Sequence, residues 1–419
     1  MPKLASVPAS NTLSDTQRVV ITGLGSVSAL GVGTAAFWQG VNQGRSALRP
    51  VTRAQAGLEI CLPAAVLEGF RLEQHIQTPQ QAMLDPFAQY ALVAAQEAIF
   101  DAKWDVAAMR EQQVAVILGS TSGGDSSREA EAVRFFHQGK KRCNPAMVAR
   151  TNHQAAVGII SMHFGFTGPS FIVHSGCASG SHAIAQAYLM LRHGMADYAI
   201  TGGCEANAIF STMVAFQAMG VTTNDTCRPF CKQRSGMALG EGAGILTLET
   251  LASARARGVR IYAELAGVAM NADAQDPVNP SAQGSAQAMR AALQMAGLNA
   301  EQVGYINAHG TATHANDAIE CAAIHQVFGA HTRNLCVSST KAVHGHALGA
   351  SGGLELIATC LAMHTDIVPP TANFIEADSE CNLDVVPNQP REKKLEAALS
   401  NSFGLGGLNA VLALRREAE

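Results

Sequence analysis

Cys177 lies in the stretch HSGCASGSHAIAQAYL, where an apolar run ends and a helical pattern begins. A thiol at a helix start faces unpaired backbone N–H groups and the positive end of the helix dipole. Both favour the thiolate, the nucleophilic form. The same N–H groups can hold the oxyanion that forms when a thioester is attacked. Gly176 and Gly180 permit a sharp turn and close approach of a ligand. Most cysteines are small buried hydrophobes, and the remaining ones, Cys204, Cys227 and Cys231 among them, read that way. The second half of the chain adds histidines in comparable settings. YINAHGTATHAND puts His309 directly after an apolar strand pattern, and SSTKAVHGHALGASGG puts Lys341, His344 and His346 between a strand pattern and a helix pattern. Loops at strand ends are where catalytic side chains gather in α/β proteins.

The elements that must position these groups can be read from the pattern. Short β-branched runs (RVVITG, VAVILGS, FIVHSG, DYAITGG, GAGILTLE) alternate with longer helical stretches, which predicts an α/β protein with helices covering its sheets. SFIVHSGCASGSHAIAQAYLMLRHG and LCVSSTKAVHGHALGASGGLELIATCLAMHTD both run strand, small-residue turn, apolar helix. Ile184, Ala187, Tyr188 and Leu191 recur at helical spacing, as do Leu354, Ile357, Ala358 and Leu361, so both helices are expected to be buried. Two such halves would bring both turns to a common centre.

Composition narrows the function classes. The 419 residues are 47% hydrophobic and 15% charged, enough apolar material for a large core, and the formal net charge of −4 argues against nucleic acid. Ten cysteines without paired CxxC spacing predict reduced thiols in a cytoplasmic protein and no metal site. No run reaches the roughly 18 apolar residues of a membrane span. TGLGSVSALGVG has the wrong glycine spacing for a dinucleotide fingerprint.

The motifs VVITGLG, GPSFIVHSGCASG, RPF, GEGAGILTLE, NAHGTATHAND, SSTKAVHGHALGASGG, VPPTANF and NSFGLGGLNAVL, in this order from about Arg18 to Arg416, resemble the β-ketoacyl-acyl carrier protein synthases. The resemblance implies a thiolase-like fold of two similar α/β halves in five α-β-α-β-α layers. Residues 1–17 would be an N-terminal extension, 18–265 the half with the nucleophile, and 266–419 the half with Lys341 and both histidines. It implies a decarboxylating Claisen condensation in fatty acid or polyketide synthesis: Cys177 takes an acyl chain, and malonyl-carrier protein supplies two carbons. His309 and His346, the latter by the K-x-x-x-G-H spacing, would hold the enolate. Lys341 would organise the site with Glu355 as counter-charge. The N–H groups of Cys177 and Leu405 would form the oxyanion hole, and Thr311 and Thr313 would bind the pantetheine arm. Asp317 and Glu241 would support the site, while Ser122, Phe216 and Phe403 would line the substrate channel. No cofactor is implied, since phosphopantetheine arrives on the carrier protein. The expected partners are that carrier, met by Lys140, Lys141 and Arg142, and a second subunit in a homodimer or a heterodimer.

Several positions depart from the family pattern. Leu405 stands at a gating aromatic, Leu408 at a small polar residue and Ser122 at an aliphatic pocket residue. Cys231 and Ser235 stand where aspartates are usual, and His344 where a small residue is usual. These changes leave two readings, a specialised synthase for unusual chains such as unsaturated or aryl-bearing ones and a housekeeping fatty acid elongase. A thiolase is disfavoured because NSFGLGG carries no cysteine, and an initiating enzyme because His346 is present. A silent chain-length subunit would lack Cys177, although the chain fits the active half of such a pair.

Overall fold

The computed structural model describes residues 13–417; most of the predicted extension, residues 1–12, lies outside them. Eleven strands form one continuous sheet, ten on its main path and the two-residue strand Gly31–Val32 beside the first of them. The first half contributes β1 (Val19–Ser28), β2 (Val114–Gly119), β3 (Ser170–Val173), β4 (Tyr198–Glu205) and β5 (Gly242–Thr250). The second contributes β6 (Ala263–Ala272), β7 (Val303–Asn307), β8 (Cys336–Ser338), β9 (Ala397–Gly404) and β10 (Leu408–Arg415). The spatial order is β8-β7-β9-β10-β6-β1-β5-β4-β2-β3. Each half therefore repeats one path in chain order, third-second-fourth-fifth-first. The pairings repeat too: parallel among the three strands at each outer end, antiparallel among the rest. A short antiparallel register, Val19 opposite Leu265, joins the halves.

Helix α1 (Pro86–Asp101), capped by the Asp85 side chain with Pro at its first position, covers the first half-sheet together with α2 (Ala155–Phe164). Between the half-sheets lie α3 (Ser179–Arg192) and α6 (Ser351–Thr365), packed against both. Helix α4 (Ala282–Ala296), capped by Ser281, and α5 (His314–Phe328) cover the second half-sheet. The result is five layers, as the family resemblance implied.

The central helices differ from α1 and α4 at their starts. Their N-caps are Ala178 and Ala350, with no side-chain cap hydrogen bond. Small residues there let backbones touch. A Cβ on Gly353 would sit 2.1 Å from the Gly244 carbonyl oxygen, and one on Gly203 would sit 2.1 Å from that of Gly349. Gly353→Ala is expected to force the central helix off β5 and lower the melting temperature by about 5 °C or more in a thermal scan.

Candidate active site

The nucleophile turn is built by its own small residues. Gly176 takes φ +58°, the Ser175 N–H donates to the Ser179 hydroxyl at 2.9 Å, and that hydroxyl donates to the Gly176 carbonyl at 2.6 Å. Cys177 sits one residue before the N-cap, half-buried against a cluster that includes Met213 and Leu348, beside Phe210, Phe216 and Val221. From the second half, the end of β9 packs against this turn: a Cβ on Gly404 would lie 3.1 Å from the Ser175 carbonyl oxygen. The backbone N–H groups of Leu405 and Cys177 favour the anion of this thiol. Sequence reasoning expected the helix start to lower the thiol pKa. Burial instead pushes the Cys177 thiol up, while the Lys341 charge and those two N–H groups oppose the shift. Desolvation of an anion outweighs these opposing contributions.

His309 follows β7 and is fully enclosed. Its N–H and that of Gly310 donate to Glu320 at 2.9 and 2.8 Å, and Asn401 holds the same carboxylate at 3.1 Å. Its ring meets Phe403 at 6.0 Å and the ring of His346 at 5.4 Å, edge to face. The Lys341 amine donates to the His309 carbonyl at 2.5 Å, lies 3.4 Å from its Nδ1, and pairs with Glu355. An amine donating to Nδ1 leaves the ring proton on Nε2. The His346 Nδ1 pairs with the Ser351 hydroxyl at 2.9 Å, and its Nε2 is buried without a partner among the described residues. Burial and the Lys341 charge hold both imidazoles well below the usual histidine range, so both are neutral at pH 7. Two neutral rings set edge to face can donate hydrogen bonds to one developing oxyanion.

Carboxylates brace the loops around this centre. Asp317 accepts from the N–H groups of Phe230 and Ala312 at 2.7 and 3.1 Å, and Glu241 from that of Ala208 at 3.1 Å. Burial raises both, Asp317 to about 6. Neither of these contacts involves the reacting groups. Thr311 and Thr313 share a hydroxyl hydrogen bond of 2.9 Å on the loop after His309. The Leu405 side chain is 49% exposed, so it does not close the pocket as a buried aromatic would. Lys140, Lys141 and Arg142 are exposed, in no ion pair among the described residues. His344 faces elsewhere: its Nε2 pairs with Thr340 at 2.9 Å and its ring lies 5.8 Å from Phe37. Beside Cys231 and Ser235, Asp378 pairs with buried Arg234 and Glu376 with Lys232.

Sequence reasoning missed Glu320, Ser351, Glu205 and Asn207. Glu320 follows Asp317 by three positions, hence on the same face of α5, and that spacing was a usable signal. Glu205 ends β4 and accepts from the N–H groups of Thr121, Ser122 and Gly349 at 2.7, 3.2 and 3.1 Å; burial pushes it up to about 7.

Comparison with known proteins agrees with this arrangement. Two family profiles match, the β-ketoacyl synthase N-terminal domain over residues 16–254 and its C-terminal domain over residues 262–375. Nodulation protein E of Rhizobium sp. (strain N33) is 42% identical over 402 residues, 96% of this chain and 99% of that protein. The 3-oxoacyl-[acyl-carrier-protein] synthase 2 of Synechocystis sp. is 39% identical over 409 residues, 96% of this chain and 98% of that protein. Among solved structures, the ishigamide ketosynthase/chain length factor superposes with a TM-score of 0.90 at 34% identity, over 96% of this chain and 100% of that one. A type II PKS ketosynthase bound to the hexaketide and in complex with its acyl-carrier protein gives 0.86 at 29%, with the same coverage. The fold is that of the thiolase-like ketosynthases, and the chain, an acyltransferase, belongs to the β-ketoacyl synthase family.

Proposed function

We propose that the chain is a 3-oxoacyl-[acyl carrier protein] synthase in which Cys177, His309 and His346 carry the chemistry. The observation that carries this assignment is the pair of neutral imidazoles set edge to face 5.4 Å apart beside Lys341, whose charge acts on the Cys177 thiol of the other half. The Cys177 sulfur attacks an acyl-carrier thioester, the tetrahedral oxyanion rests on the N–H groups of Cys177 and Leu405, and the pantetheine thiol leaves. Malonyl-carrier protein follows, its arm held by Thr311 and Thr313 and its thioester carbonyl against the Nε2 atoms of His309 and His346. Carbon dioxide leaves, the enolate rests on those imidazoles, and its carbon attacks the acyl thioester. Cys177 departs and a 3-oxoacyl chain two carbons longer is released. The reaction is written without a resident cofactor. The test is intact-mass spectrometry after incubation with an acyl-carrier protein. The acyl mass should appear on the peptide containing Cys177, and its absence there overturns the assignment.

The protonation states give a pH signature. A thiol raised above its usual 9.0 makes acylation climb with pH from about 6 to about 9 without levelling. Histidines lowered below 6.5 stay neutral over the same span, so decarboxylation by pre-acylated enzyme stays flat from about pH 6 to about pH 8. Measuring the two half-reactions separately tests this. An acylation plateau below about pH 8 contradicts the first part, and a decarboxylation limb near 6.5 contradicts the second.

The partners we propose are a carrier protein, steered by Lys140, Lys141 and Arg142, and a second subunit. Strand β3 ends the sheet, and its outer edge is unpaired among the described residues. Phe171 on that strand is 39% exposed, and Met162 on neighbouring α2 is exposed at 64%. Such an edge is a template for pairing with another chain. A homodimer is the first reading. The active half of a heterodimer is the second, supported by the likeness to the ishigamide ketosynthase/chain length factor. A purified chain that is dimeric by light scattering supports the first, and one that becomes dimeric only with a related partner supports the second. Among the described residues no helix is long and apolar enough to cross a membrane. We place the protein in the cytoplasm on its reduced cysteines.

A further inference from the structure

Behind the nucleophile turn the structure holds a polar pair that the reaction does not use. The Thr121 hydroxyl donates to the Gly176 carbonyl at 3.0 Å, so the loop after β2 lies against the turn that carries Cys177. The next residue, Ser122, accepts at its hydroxyl from the Asn207 amide at 3.0 Å. Asn207 is fully buried, and its Oδ1 has no hydrogen-bond partner among the described residues. If the amide is turned over, the Ser122 hydroxyl donates to Oδ1 and the NH2 becomes the unpaired end. Either way one polar end of a buried amide is left over beside a serine that is only half-buried. Glu205 fixes this loop by accepting the N–H groups of Thr121 and Ser122. The neighbour of Asn207, Ala208, belongs to the apolar cluster that meets Cys177 and Phe216. The polar pair therefore sits beside the apolar cluster that packs against Cys177.

Resting on the acyl-transfer assignment above, we infer that Ser122 and Asn207 form a specificity site that hydrogen-bonds an oxygen substituent, a ketone or a hydroxyl, on the chain carried by Cys177. A purely hydrocarbon chain would leave the Asn207 amide unsatisfied and cover it with apolar atoms, which is the costly arrangement for a buried polar group. An oxygen at the matching carbon completes the amide's hydrogen bonds, and Ser122 supplies the second contact. Sites built to bond an oxygen reject the analogue that lacks it more strongly than apolar pockets reject an extra carbon.

The test uses the full chain and pantetheine thioesters of decanoic acid, alongside isomers carrying an oxo or a hydroxy group at each successive carbon. Loading of Cys177 is followed by intact mass in pairwise competition. One position of the oxygen should load about tenfold faster than decanoyl. In Ser122→Ala and in Asn207→Leu that ratio should fall to about one. A thermal scan of each variant separates loss of selectivity from loss of folding. Wild-type enzyme that loads every oxygenated isomer no faster than decanoyl overturns the inference, as do variants that keep the preference. If no thioester at all, decanoyl included, loads Cys177, the acyl-transfer assignment falls and this inference with it.

Discussion

Cys177→Ala is expected to abolish both covalent loading and condensation, with turnover down by at least about 10⁴-fold. The sulfur is the group that becomes the thioester, and no second thiol stands in for it. Among the described residues the other exposed cysteines, Cys61 and Cys143, lie in the β-hairpin Arg49–Ala65 and in a surface loop. Little structure should be lost. The side chain is half-buried, and removing one sulfur leaves the Ser175–Ser179 bonds that shape the turn intact. The melting temperature should stay within about 2 °C of wild type, as small changes at partly exposed positions commonly do. The measurement is intact mass for loading, product formation for turnover, and a thermal scan as control. Acyl transfer that survives at more than a trace would place the nucleophile elsewhere. Retained decarboxylation of malonyl thioester is compatible, because His309, His346 and Lys341 keep their mutual contacts without the sulfur.

Part of this arrangement was legible in the chain itself. Strand, small-residue turn and buried helix occur twice, around Cys177 and around Lys341, and β1–β5 and β6–β10 do follow one topology. Apolar periodicity marks α3 and α6 because both helices are surrounded, so nearly every turn carries buried side chains. What could not be read is anything set by contacts between distant segments. The upward shift at Cys177 depends on how completely the second half encloses the thiol, and no local pattern reports that. Glu320 acts through backbone N–H groups ten or more positions away, and its only local sign is its spacing from Asp317. Asn207 meets Ser122 across 85 positions, where sequence records only two ordinary polar residues. The pairing of Lys232 with Glu376 and of Arg234 with Asp378 is likewise visible only once the chain is folded.

His346→Ala should separate the two half-reactions that Cys177→Ala removes together. The imidazole is held by Ser351 on one side and its Nε2 is buried and unpaired among the described residues, so that end is available to a substrate oxygen. In the proposed scheme the acyl oxyanion rests instead on the N–H groups of Cys177 and Leu405, which the substitution does not touch. Acylation should therefore reach its normal amplitude, while malonyl decarboxylation falls roughly 10²- to 10³-fold, the usual cost of one donor aimed at developing charge. His346→Gln restores a neutral N–H donor without an ionisable ring. Because the native ring is already neutral near pH 7, glutamine should recover more of the rate than alanine. Single-turnover acylation followed by carbon dioxide release from pre-acylated enzyme reads both steps. Equal loss of the two would mean that His346 serves the thiol as a base and does not hold the enolate. Glutamine no better than alanine would mean that the ring moves a proton, and the neutral-donor role would be lost.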